Sequence, residues 1–201
     1  MKALISKTVL LDIDTQIDLF RSSKNGAVDN IVRLFGWAAA NSINVMSTVL
    51  RVRRRDISPF GPGMMPVCID GTEGERKLSG TLLPSRIDFG LNCITDLEHP
   101  VFAEYQQAIF EQRTTDILLH PRAERLITEI QLVTFIICGA GVSYGIAQAA
   151  IGLRCRGFGV IVASDAVAEL RGPGTDLAYQ RMDAKGVVFA KTAEILSSRT
   201  L

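Results

Sequence analysis

The chain has 201 residues, enough for one large or two small domains, and 47% of them are apolar, which is ample for a sizeable core. Its 22 basic and 21 acidic side chains leave a net charge of +1, which gives no electrostatic case for nucleic acid or an anionic membrane. No apolar run has the length of a membrane span, the first residues do not read as a signal peptide, and the four cysteines lack paired spacing, so a soluble cytoplasmic protein without structural zinc is expected.

In chain order, TVLLDID (residues 8–14) reads as the first strand. Asp29 can cap a helix through about Asn41, with Ile31, Val32, Leu34 and Phe35 on its apolar side. INVMSTVLRV (43–52) reads as the second strand. A long irregular insertion follows over about 53–97, punctuated by PFGPGMMP and GTEG. Its basic start, RVRRR, reads as a solvated loop or an anion contact. A helical or extended piece over 100–107 precedes a short strand, AIFEQ (108–112). Pro121 opens a helix to about Ile130. LVTFIIC (132–138) is continuous in apolar character, as for a strand buried on both faces. Ser143 reads as the N-cap of a helix that Gly157 stops. FGVIVASD (158–165), a helix over 176–185, the strand VVFAKT (187–192) and a last helical turn complete the chain.

Six strands alternating with helices predict a single α/β domain over residues 1–201. Three αβα layers would enclose an open, mostly parallel six-stranded sheet. Such sheets place ligands outside the carboxyl ends of their strands. Those ends carry Asp14, Arg53, Gln112, the turn after Cys138, and Asp165.

The turn GAGVSYG (139–145) spaces three glycines between a strand and a helix, with Asp165 following the next strand. One reading is a nucleotide-binding module, with phosphate on the helix amides and the acid on a ribose. The packing alternative is that these glycines only let the helix lie close to its strand.

The strand ends taken together resemble the isochorismatase-like, or cysteine hydrolase, superfamily, which includes nicotinamidases. LLDIDTQIDLF is similar to that family's opening strand, with Asp14, Gln16, Asp18 and Phe20 on its signature positions. VCIDGTEGERKL, EQRTTDIL, CGAGVSYGIAQAAIGLRCRGFGVIVASDAVAEL and RMDAKGVVFAKTAEIL match further segments in the family's order. The resemblance implies an isochorismatase-like fold of Rossmann-like topology, and a dimer or higher homo-oligomer. It also implies a cysteine nucleophile at a helix N-terminus, an aspartate that takes the thiol proton, and an assisting lysine.

Carried over residue by residue, the aspartate falls on Asp14, the lysine position on Gln112 and the nucleophile position on Gly145. Two of the three catalytic residue types are therefore replaced. The substrate-binding positions fall on Gln16, Phe20, Arg53, Arg113, Gly141, Val142, Ser143 and Tyr144. Nicotinamidases also hold zinc through histidines after the second strand. The matching RVRRRDISPFGPG has none, so no metal and no cofactor are expected.

Two readings follow from the resemblance. In the first, the chain keeps fold and pocket for a small-molecule ligand without cysteine-dependent hydrolysis. In the second, Asp14 acts as general acid or base on a small anionic substrate, as in true isochorismatases, which also carry glycine at the nucleophile position. Asp12 poses a separate question. It sits mid-strand and needs a partner, from a subunit contact or from a basic residue of the long loop.

Overall fold

β1 (Thr8–Ile13) follows the alternation of its side chains: Val9, Leu11 and Ile13 enter one apolar layer, and Leu10 enters the other. Both faces of this strand are buried, so the chain needs cover on both sides of the sheet. The computed structural model describes residues 8–21, 26–56, 58–61, 66–92, 94–97, 100–131, 133–170 and 174–198.

After β1 come a helical turn, α1 (Ile17–Phe20), and the long helix α2 (Ala27–Ala40). β2 (Asn44–Leu50), β3 (Arg86–Phe89), the turn α3 (Val101–Glu104), β4 (Gln107–Gln112) and α4 (Pro121–Glu129) follow. The last part contains β5 (Thr134–Ala140), α5 (Ala147–Cys155), β6 (Gly159–Ala168), α6 (Thr175–Ala184), β7 (Val188–Ala190) and α7 (Thr192–Ser197). One sheet in the order β3-β4-β2-β1-β5-β6-β7 joins the strands, and every pairing is parallel. α2 and α7 pack on one face, and α4, α5 and α6 lie with the core on the other.

The sheet has seven strands, not six. The extra one, β3, lies inside the segment expected to be irregular. That segment also forms 3-10 turns at Glu73–Glu75 and Ser79–Thr81. Buried Gln107 organises this region: its Oε1 accepts from the Leu83 amide, and its Nε2 donates to Ser47 Oγ and the Thr81 carbonyl. β3 has only four residues, in which Arg86 and Asp88 alternate with Ile87 and Phe89, too short a run for hydrophobic periodicity to mark it.

Two caps differ from expectation. Gly26, in the left-handed region at φ 66°, caps α2, and Asp29 sits inside its first turn. Gly141, at φ 80°, takes the cap position expected of Ser143, and a π-type turn (Val142–Ile146) leads into α5. The Ser143 hydroxyl instead meets Thr175 Oγ1 at 3.2 Å. β6 runs past Asp165 because its register against β5 jumps from Ile137–Val162 to Gly139–Val167.

Candidate functional site

Asp14 follows β1 with φ 49°, a conformation that is uncommon for a residue other than glycine and is a reason to look for function. Thr48 of β2 holds it from two sides. Its hydroxyl oxygen accepts the Asp14 amide at 2.9 Å and donates to Asp14 Oδ1 at 2.5 Å. The residue is only 2% exposed. Burial, opposed by the Thr48 hydrogen bond and the charge of Lys77, raises its pKa to about 7.

Gln112 ends β4 beside Asp14, close enough to favour the ionised carboxylate. It is 4% exposed, and its amide, turned towards the Asp14 carboxylate, falls short of full hydrogen-bond geometry to any described residue. Gly145 lies buried in the turn before α5. A Cβ placed there would stand 2.8 Å from the Thr115 carbonyl oxygen and 2.8 Å from Ile13 Cγ2. Real Cβ atoms do not approach so closely, so the backbone after β4 and the end of β1 occupy the volume a side chain would need.

Of the expected substrate-binding residues, Gln16 is fully buried. Its amide donates to the Leu50 and Glu75 carbonyls and accepts the Leu50 N–H, suturing β1 to β2 and to the middle segment. Phe20 is in the core. Gly141 and Val142 line the turn and are buried. Tyr144 donates its hydroxyl to the Phe60 carbonyl at 2.8 Å, and the two rings meet edge to face with centroids 5.0 Å apart. Arg113 donates to the Arg51 carbonyl and to Asp70, while Arg53 is exposed. Three clefts border this region, one along Arg53, Gln112 and His120, one along Arg51, Asp56 and Thr115, and one along Ser143, Tyr144 and Gln148, and none is lined by Asp14 or Gly145.

A family model described as the isochorismatase domain matches residues 94–194, half of the chain. The chain belongs to the isochorismatase family. Among solved structures, the nicotinamidase PncA from Bacillus subtilis is similar with a TM-score of 0.67 at 19% identity, over 92% of this chain and 99% of that one. An isochorismatase family protein from Desulfovibrio vulgaris gives 0.69 at 19% identity, over 94% and 96%. A ribonuclease from Caenorhabditis elegans gives 0.63 at 16% identity, over 94% of this chain and 79% of that one. At such identities the likeness is one of fold. No curated protein sequence matches the chain.

Within this family fold, no described cysteine is set up as a nucleophile. Cys68 is buried, and its thiol is pushed well up by burial and then by the charge of Asp14, Asp18 and Glu75. Thiolate activation needs the opposite surroundings. Cys138 is buried beside Asp12 and raised likewise. Cys155 is exposed at the far end of α5, and Cys93 lies outside the described residues. Zinc does not fit the residues at the matching place either. Asp70 is paired with Arg113, and no three His, Cys, Asp or Glu side chains gather among the described residues.

Asp165, the acid of the nucleotide reading, lies within β6, short of its end at Ala168. Its carboxylate accepts from Thr192 N and Oγ1 at 2.7 Å and so holds α7. Asp12 finds its partner in the long loop. Lys77 Nζ donates to its Oδ2 at 2.6 Å and to Thr15 Oγ1 at 2.8 Å, with both charged side chains almost fully buried.

Sequence reasoning did not identify Thr48, Thr115, Phe60 or Lys77. Ser47 and Thr48, two hydroxyls inside the apolar run NVMSTVL, were the available signal for the first. An aspartate inside β1 was the signal for Lys77. Thr115 acts through its backbone carbonyl, which leaves no trace in sequence.

Proposed function

We propose that this isochorismatase family member has no cysteine-dependent hydrolase activity and keeps its fold for binding a small molecule. One observation carries the reading. The nucleophile position holds Gly145, and the room for any side chain there is taken by the Thr115 carbonyl and by Ile13. A covalent thioester route needs a thiolate facing the substrate carbonyl, and the described cysteines are buried among carboxylates or remote from the site. With Gln112 in the lysine position, the fixed charge that assists proton transfer is missing as well. The test is turnover of nicotinamide, the kind of substrate named for the solved nicotinamidases, alongside other simple amides. The reading expects no product above that of Asp14→Asn.

A second reading is favoured by one observation, the Asp14 pKa near 7. A buried carboxylic acid that stays protonated near neutral pH is suited to general-acid work without a nucleophile. Protonating a vinyl ether carbon, as true isochorismatases do, would need only this group as the acid; water then adds to the oxocarbenium ion, and the hemiketal collapses to ketone and alcohol with a proton returned to Asp14. Cleavage of isochorismate that disappears in Asp14→Asn would establish it, and absence of cleavage would leave the binding reading alone.

A further inference from the structure

β3 closes one end of the sheet. β4 is its only strand partner, and among the described residues no other backbone hydrogen bond reaches Arg86–Phe89. The Ser85 carbonyl accepts the Gln107 amide, so Ser85 faces β4. Backbone groups alternate in direction along a strand. Ile87 and Phe89 therefore face β4 as well, and Arg86 and Asp88 turn their N–H and C=O groups outward. Clefts run along both faces of the strand, one lined by Ile87 and Phe89, the other by Arg86 and Asp88, so the edge stands open. An open edge is a template for a further strand.

The side chains select which strand fits. Ile87 and Phe89 pack towards the core on one face, and Arg86 and Asp88 are exposed on the other. Among the described residues neither charge has an ion pair, and the Arg86 guanidinium donates to the Leu83 carbonyl alone. Two exposed charges repel an arbitrary strand, which is one way native edges stay unpaired. A second copy of β3 is different. Added antiparallel about a two-fold axis, it must set each residue opposite one whose side chain lies on the same face, so the axis passes beside a single residue. At Arg86 or Asp88 the axis brings like charges together, and at Phe89 it pairs neither charge. At Ile87 it sets Arg86 of each copy against Asp88 of the other, with the two Ile87 side chains adjacent on the opposite face. The same register joins the outward-turned backbone groups, because Arg86 and Asp88 then form hydrogen-bonded pairs that each exchange two bonds.

We infer that the β3 edge is a self-association surface, on which a second copy of the chain pairs antiparallel about a two-fold axis at Ile87 and continues the sheet across the contact. The oligomer expected from the family resemblance has no surface assigned to it, and this register supplies one. The inference is independent of whether Asp14 is catalytically silent, because no residue of β3 touches Asp14, Gln112 or Gly145.

The test is sedimentation velocity of the full chain over a dilution series, with circular dichroism melting of every variant to show that it is folded. The expected result is a monomer–dimer equilibrium. Arg86→Asp or Asp88→Arg alone sets like charges opposite each other twice in the dimer, and each should weaken association at least tenfold. Arg86→Asp combined with Asp88→Arg restores the match in reverse order and should recover native association to within about threefold. An equimolar mixture of the two single variants should dimerise where neither does alone, since an acidic edge then meets a basic one. If the double variant does not fold, the mixture decides. A chain that stays monomeric, a dimer that survives both single reversals, or single variants that remain apart when mixed would each overturn the inference.

Discussion

At the scale of single residues, the buried carboxyl groups make the sharpest predictions. Asp14 titrates near 3.8 in an unfolded chain and near 7 when folded. Below about pH 4 both states hold the proton, and the group is neutral for stability. Between pH 4 and 7 the unfolded chain loses its proton first, so folding is progressively opposed, and above pH 7 the penalty is complete. Asparagine mimics the protonated form and can still accept from Thr48. Asp14→Asn should thus be more stable than the native chain at pH 8, on the order of 3–4 kcal/mol, with the advantage vanishing towards pH 4. Urea unfolding across this range checks it, and a difference independent of pH would refute the burial account. Asp12 is the opposite case, a buried acid that has its counter-ion. Lys77→Met leaves that carboxylate unpaired and should cost about 3–5 kcal/mol, most of it recovered when Asp12→Asn is added. A loss below 1 kcal/mol in the same unfolding measurement would mean that the pair is not buried as described.

At the scale of elements, the end of β1, the end of β4 and the turn before α5 converge on one point and close it. Gly145→Cys restores the family's residue type but not the room for it. The substitution should destabilise the protein by about 1–3 kcal/mol, the usual range for overpacking. It should fail to create an amidase even alongside Gln112→Lys, and ammonia release from that double variant would show that the Thr115 backbone yields. The stretch around Phe60 is held to the turn by the Tyr144 hydroxyl and ring. Tyr144→Phe removes a hydrogen bond worth about 1 kcal/mol and should speed amide exchange at residues 58–61, leaving β5 unchanged. Unaltered exchange at those residues would show that the contact does not hold the segment.

Elements were legible in proportion to how apolar they are. β1, β5 and β6 bury both faces, and their β-branched runs stand out, whereas β3 presents exposed Arg86 and Asp88 and is set by its register against β4 and by Gln107. The caps of α2 and α5 were misplaced because Gly26 and Gly141 compete with nearby Asp29 and Ser143, and propensity alone does not rank them.

At the scale of the whole molecule, the parallel sheet and its two helical layers were readable from the order of elements, and that order places Asp14, Gln112 and Gly145 together. The resemblance in sequence puts glycine and glutamine at the positions it implies for cysteine and lysine, and the proposed function rests on that reading. That Gly145 has no room for a side chain was not readable, because a backbone carbonyl and a core isoleucine fill the space. Among the described residues, no helix is long and apolar enough to cross a membrane.

The central claim is that this family fold has lost cysteine-dependent hydrolysis. Its most direct test is ammonia release from nicotinamide by the purified chain, with Asp14→Asn measured in parallel. The account predicts equal, background rates for the two proteins. Turnover by the native chain that Asp14→Asn abolishes would contradict it.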